Sequence, residues 1–157
     1  FYSLWKVTRW DGLRTYSPLL DRRHNINLVG TQKFGKDNGW EINLRWNYGS
    51  GLPFTQTQGY YHSIDYSQGI NTNISSANDN QLGLIYADLN QGRLSAYHRL
   101  DFAIKKHIDI NDKSTLDITA SVTNIYSRKN IFYVDRVTTE KVYQLPILPS
   151  LGVSWKF

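Results

Sequence analysis

The chain has 157 residues, of which 40% are apolar, 14% aromatic and 20% charged, and it carries a net charge of +5. No run of about 18 apolar residues occurs, which excludes a transmembrane helix, and so many aromatics with so few charges exclude a disordered chain. Cysteine is absent, so there is no disulfide framework, thiolate metal site or cysteine nucleophile.

In chain order, the governing signal is alternation with a period of two, the mark of strands with one apolar and one polar face. The chain opens inside such a pattern, at Phe1-Tyr2-Ser3-Leu4-Trp5 without an initial Met or a leader, and reads as a piece cut from a longer protein. A first, irregular strand is predicted over Ser3–Trp10, followed by a loop at 11–23. The second strand, His24–Phe34, sets Ile26, Leu28 and Phe34 against Asn25, Asn27, Thr31 and Lys33, with Val29 and Gln32 as exceptions. Gly35-Lys36-Asp37-Asn38-Gly39 is a tight turn. The third strand, Trp40–Tyr48, is the cleanest: Trp40, Ile42, Leu44, Trp46 and Tyr48 alternate with Glu41, Asn43, Arg45 and Asn47.

A long segment, 52–96, follows, rich in Gly, Ser, Asn, Gln and Tyr, and is predicted as a solvent-facing loop. The fourth strand runs over Leu100–Ile110 and the fifth over Leu116–Val122, joined by the tight turn Asn111-Asp112-Lys113. A third loop, 128–147, precedes a last strand at Leu151–Phe157. Pro53, Pro146 and Pro149 fall where strands meet loops, since proline cannot donate to a sheet ladder.

Long and short connections thus alternate. That is the layout of an outer-membrane barrel, with short turns on the periplasmic side and long loops outside. The predicted fold is all-β, an antiparallel transmembrane barrel meander of about six strands. Aromatics near strand ends (Trp10, Phe34, Trp40, Trp46, Tyr48, Tyr97, Tyr126, Trp155, Phe157) fit a girdle at the headgroup level. Glu41, Arg45, Asp101, Lys105 and Asp117 fall on the polar face, where opposite charges on neighbouring strands form ladders along a wet lumen.

No enzyme is predicted. Asp101, Asp109 and Asp117 are spaced by strand alternation, no serine sits in a nucleophile elbow, and Gly49-Ser50-Gly51 lacks the rest of a phosphate loop. His24, His62, His98 and His107 show no zinc spacing. His24 and His98 are read as hydrogen-bonding groups at loop bases. No metal or cofactor is expected. The pI is near 9.4, but no Lys/Arg run exceeds two residues, so no nucleic-acid partner is expected.

Several stretches share an order found in one family: Asp21-Arg22-Arg23-His24, Gly49-Ser50-Gly51-Leu52-Pro53-Phe54-Thr55, Tyr97-His98-Arg99-Leu100-Asp101, Thr123-Asn124-Ile125-Tyr126, and the alternating end Leu151, Val153, Trp155, Phe157. Together they resemble the final strands of TonB-dependent outer-membrane receptors of the Bacteroidetes kind, over nearly the whole chain. The resemblance implies the C-terminal segment of a 22-stranded barrel whose plug domain is absent from this sequence. It implies active transport of a large nutrient (an iron chelate, cobalamin or a glycan), driven through TonB. The implied partners are outer-membrane lipid, the barrel assembly machinery, the protein's own plug and the TonB complex, with a surface lipoprotein also open. Leu151, Val153, Trp155 and Phe157 would then form the C-terminal assembly signal. The loops at 11–23, 52–96 and 128–147 would build an extracellular vestibule, with Arg14, Tyr16, Tyr60, Tyr61, Tyr66, Tyr86 and Arg136 as candidate ligand contacts. Two other readings stay open. One is a complete small barrel of eight strands, porin-like or an adhesin, with Leu82–Tyr86 supplying a further strand. The other is a soluble carbohydrate-binding sandwich.

Overall fold

Six strands form one antiparallel sheet: β1 (Tyr2–Leu4), β2 (His24–Phe34), β3 (Trp40–Gly49), β4 (Tyr97–Asn111), β5 (Ser114–Thr123) and β6 (Leu148–Lys156), each beside its neighbour in sequence. The computed structural model describes residues 1–62, 82–111 and 114–157. Among these no helix is long and apolar enough to cross a membrane. Tyr66 and the Asp112-Lys113 turn lie outside the described residues.

The register explains why alternation organises the whole sheet. Residues directly opposite in an antiparallel pair share a face. Rows therefore run across the strands as Leu28–Trp46–Leu100, Leu44–Phe102–Val122 and Ile42–Ile104–Ala120–Leu151. The intervening rows are polar: Asn27–Asn47–Arg99, Thr31–Asn43 and Lys33–Glu41–Lys105–Thr119. One slip of register would move every apolar side chain to the other face. Gln32 joins the apolar rows opposite Ile42, and Lys106 joins them between Trp40 and Ile118. Lys106 is accommodated by placing its ammonium 4.7 Å from the Trp40 ring centroid, where the π face attracts the cation.

The charged ladder on the polar face is partly in place. His107 Nδ1 lies 2.6 Å from Asp117 Oδ1, Lys33 Nζ lies 3.9 Å from Glu41 Oε2, and Arg99 chelates Asp101 at 2.9 Å. The register also sets Arg45 opposite Asp101.

The apolar face carries no second layer. Among the described residues no hydrophobic side chain is buried, and Leu44 (45%), Val153 (65%) and Leu151 (76%) are left open. The sheet is itself open, with β1 and β6 as its two edges. Six strands are fewer than the eight of the smallest barrels, and among the described residues the sheet does not close on itself. Among the described residues no second sheet covers this one, as a sandwich would require, and Leu82–Tyr86 pairs with Thr57–His62 in a separate ribbon and not in the six-stranded sheet.

Three boundaries differ from expectation by three residues or more, one being the start of β4 at Tyr97 where Leu100 is predicted. The first strand ends at Leu4, and Arg9–Trp10 instead pairs with Thr15–Tyr16. The last strand starts three residues earlier than predicted, at Leu148, so Pro149 lies inside it. Proline is tolerated there because β6 is an edge strand, with no partner awaiting its missing N–H.

The two ends of the sheet are unlike. At one end β2 and β3 are joined by residues 35–39, with Asp37 (φ 56) and Asn38 (φ 55) left-handed, a conformation these short polar side chains tolerate. At the other end the connections rise into ribbons: Arg9–Trp10 with Thr15–Tyr16, Pro53–Phe54 with Gly92–Arg93, Thr57–His62 with Leu82–Tyr86, and Ile131–Val134 with Lys141–Tyr143. The segments at 11–23, 52–96 and 128–147, read from sequence as loops, therefore each carry short paired strands.

Candidate functional site: a clamped rim and a groove between loops

Among the described residues the buried polar side chains, Ser114 at the short-turn end excepted, gather where the sheet meets its ribbons. Asp21, 1% exposed, accepts from the Val7 amide at 3.1 Å and from Arg93 Nη2 at 2.5 Å. Arg93 also donates to the carbonyls of Asp21 and Gly51. The 5–23 loop and the distant ribbon carrying Arg93 are pinned at this one carboxylate. Burial pushes the Asp21 pKa up, but the Val7 amide and the Arg93 guanidinium outweigh it, and the net pKa is lowered.

Asn124, also 1% exposed, performs the same task at the end of β5. Its left-handed backbone (φ 54) turns the chain off the strand. Its side chain then donates to the carbonyls of Arg128 and Leu145 and accepts from the Arg128 amide at 3.0 Å. Asn130 exchanges hydrogen bonds with both backbone groups of His98, and Arg128 reaches the Ala96 carbonyl at 3.0 Å. The third clamp is Asn90, which bonds to Thr55 Oγ1 and to the Ser17 carbonyl. Two glycines make room for this packing. A Cβ on Gly49 would strike the Arg22 guanidinium, and one on Gly51 would strike the Leu94 carbonyl.

The histidines at the loop bases are hydrogen-bonded. His24 Nδ1 lies 3.0 Å from Tyr2 Oη, and His98 Nδ1 lies 2.7 Å from Tyr126 Oη. Burial raises the Tyr126 pKa, which keeps its hydroxyl protonated.

Above this rim the ribbons enclose a groove of about 910 Å³, running between 52–58 and 131–141. Its walls include Leu52, Phe54, Leu94, Ile131, Phe132 and Tyr133. The sequence reading missed these residues, because the composition of 52–96 as a whole is polar. The apolar cluster Leu52-Pro53-Phe54, immediately after Gly51, is the signal that could have revealed one wall.

The predicted contact residues divide. Arg14, Tyr86 and Arg136 meet in a hollow of about 310 Å³, and Arg136 also lines the groove. Its guanidinium carbon lies 5.8 Å from the Tyr86 ring centroid. Arg14 and Tyr16 line a second hollow of about 410 Å³ with Asp88 and Arg93. Tyr60 turns its hydroxyl to the Val137 carbonyl, and Thr57 Oγ1 donates to the Arg136 carbonyl at 3.0 Å, so both fasten the 135–139 turn to the ribbon. Tyr61 lies opposite Gly83 with its ring packed over that glycine. Leu151, Val153 and Trp155 line up along β6, and the Trp155 indole donates to Ser114 Oγ at 2.7 Å. Phe157 follows the strand, 96% exposed, with its ring 5.9 Å from that of Trp155.

No family model, curated protein or solved structure matches the chain.

Proposed function

We propose that this chain is barrel wall and extracellular vestibule of a TonB-dependent outer-membrane transporter that imports a large nutrient. The observation that carries the reading is the single-layer sheet whose apolar face is open while its other face is polar and charged. An aqueous protein does not leave so broad an apolar face uncovered, whereas lipid on one side and a wet lumen on the other satisfy both faces. The dimensions agree. Ten residues, as in β3, extend about 33 Å. Tilted at roughly 40°, they rise about 25 Å, the height of the apolar band of such barrels.

The unlike ends support one orientation in this reading. The 35–39 turn faces the periplasm, and the clamped ribbons and groove face outside, where cargo arrives. In this reading the motif residues Asp21, Arg22, Gly49, Gly51 and Asn124 hold the vestibule in shape and do not touch cargo. The C-terminal residues Leu151, Val153, Trp155 and Phe157 lie on an exposed edge, where assembly machinery could read them as a strand.

The chain has no cysteine, so single cysteines can report each face. Spin labels at Leu44, Phe102 and Val153 in the protein's membrane should be accessible to oxygen and shielded from a water-soluble nickel chelate. Labels at Asn43, Ala103 and Gly152 should show the reverse. Equal accessibility of the two sets would overturn the reading.

A further inference from the structure

We propose that the hollow between Arg14, Tyr86 and Arg136 holds the anionic group of a ligand whose apolar part lies along the adjoining groove. This deepens the transport reading by giving the chemistry of the cargo, and it rests on that reading only for the word cargo. The site itself stands on its own geometry.

Arg136 lines both spaces, so the cationic hollow and the apolar groove meet at its side chain. Its position is built. Thr57 and Tyr60 fasten the carbonyls of Arg136 and Val137 to the neighbouring ribbon, and the Tyr86 ring flanks the guanidinium. The carboxylate in its own turn is committed elsewhere: Asp135 accepts from the amides of Val137 and Thr138 at 2.8 and 3.0 Å. Those two amides, with burial opposing them, keep the Asp135 pKa low. Among the described residues Arg136 forms no ion pair. Arg14 is held from the other side by Asp11 at 3.5 Å, a contact through Nε, and among the described residues no other ion pair engages its planar donor fork. Asn90 ties the Ser17 carbonyl to Thr55, which brings the loop carrying Arg14 against the ribbons carrying Tyr86.

Among the described residues no carboxylate lines the hollow, Arg14 keeping its pairing with Asp11 outside it. Two arginines thus line one small space with no described carboxylate in its wall, and an anion is the chemistry that answers it. Carboxylate, sulfate and phosphate all suit a planar donor fork. The groove beyond is walled by Leu52, Phe54, Leu94 and Phe132, which selects a ligand with an aromatic or aliphatic body next to its charged group.

The test compares three water-soluble probes of one shape, 2-naphthoate, naphthalene-2-sulfonate and neutral 2-naphthamide. They are titrated calorimetrically into the whole protein in nanodiscs, with empty nanodiscs subtracted. At least one anion should bind about tenfold more tightly than the amide, and which anion does so separates a carboxylate cargo from a sulfated one. The preference should weaken with added salt. Arg136→Gln and Arg14→Gln, made singly and together, should remove the preference while leaving the weak amide binding. Equal binding of all three probes to the unaltered protein would overturn the proposal without any variant. So would a preference that survives in the double variant. Anion binding with Leu44 and Asn43 labels equally wet would leave the site standing and remove the transport reading. Lipid-facing Leu44 with no anion preference would do the opposite.

Discussion

Asn124 offers the sharpest test of how the rim is held. Asn124→Gly keeps the left-handed backbone accessible and removes only the side chain. Three hydrogen bonds then disappear: two to the Arg128 backbone and one to the Leu145 carbonyl. Leu145 is exposed, so its carbonyl turns to water at little cost. The two groups on Arg128 are partly buried, and each left unsatisfied costs about 1–2 kcal/mol. The loop over 125–147 should therefore lose about 2–4 kcal/mol of local stability, which raises amide exchange roughly 25- to 700-fold. Hydrogen exchange read by mass spectrometry on peptides from 125–147 measures this, with peptides from β3 as the internal standard. Asn124→Ala should exchange faster still, because alanine adds about 1 kcal/mol of left-handed strain. Unchanged exchange in the glycine variant would refute the clamp. Equal exchange in the two variants would refute the strain argument.

Other outcomes follow from the same geometry. The Asp21 pKa is lowered by folding, so its clamp contributes fully above its unfolded pKa of about 3.9 and is lost as pH falls through the lower folded value. Proteolysis of the 5–23 loop should thus be flat from neutrality to about pH 4.5 and rise below pH 4, and Asp21→Asn should raise it at neutral pH and flatten its rise in acid. Gly51→Ala drives a Cβ into the Leu94 carbonyl, a backbone contact that no rotamer change relieves; the Pro53–Phe54 and Gly92–Arg93 ribbon should separate, seen as faster exchange at Leu94, whose amide bonds to Leu52. Leu44→Arg should cost about 2–4 kcal/mol in membrane unfolding if that face meets lipid near midplane, whereas Asn43→Arg should stay within about 1 kcal/mol.

Much of the sheet was legible because a strand writes its two environments into every second residue. The third strand shows this best: its five apolar and four polar positions fall on opposite faces, and the register carries the pattern to β2 and β4. Legibility ended where alternation ended. Nothing local marks Leu4 as the last residue of β1; the Trp5 amide still bonds to the Arg23 carbonyl, the next position of the same register, and two residues further on the Val7 amide is taken by the Asp21 side chain. Among the candidate contacts, Arg14, Tyr86 and Arg136 could be chosen as loop residues, but not as neighbours.

What the sequence determined alone is which side of the sheet is apolar and which is polar, because side-chain direction along a strand depends only on counting by twos. Which loops touch was decided in three dimensions. Asp21 finds Arg93 across 72 residues and Asn90 finds Ser17 across 73, and no spacing in a linear chain encodes such a meeting. Those encounters, closed by buried hydrogen bonds, shape the groove and set two arginines around one hollow.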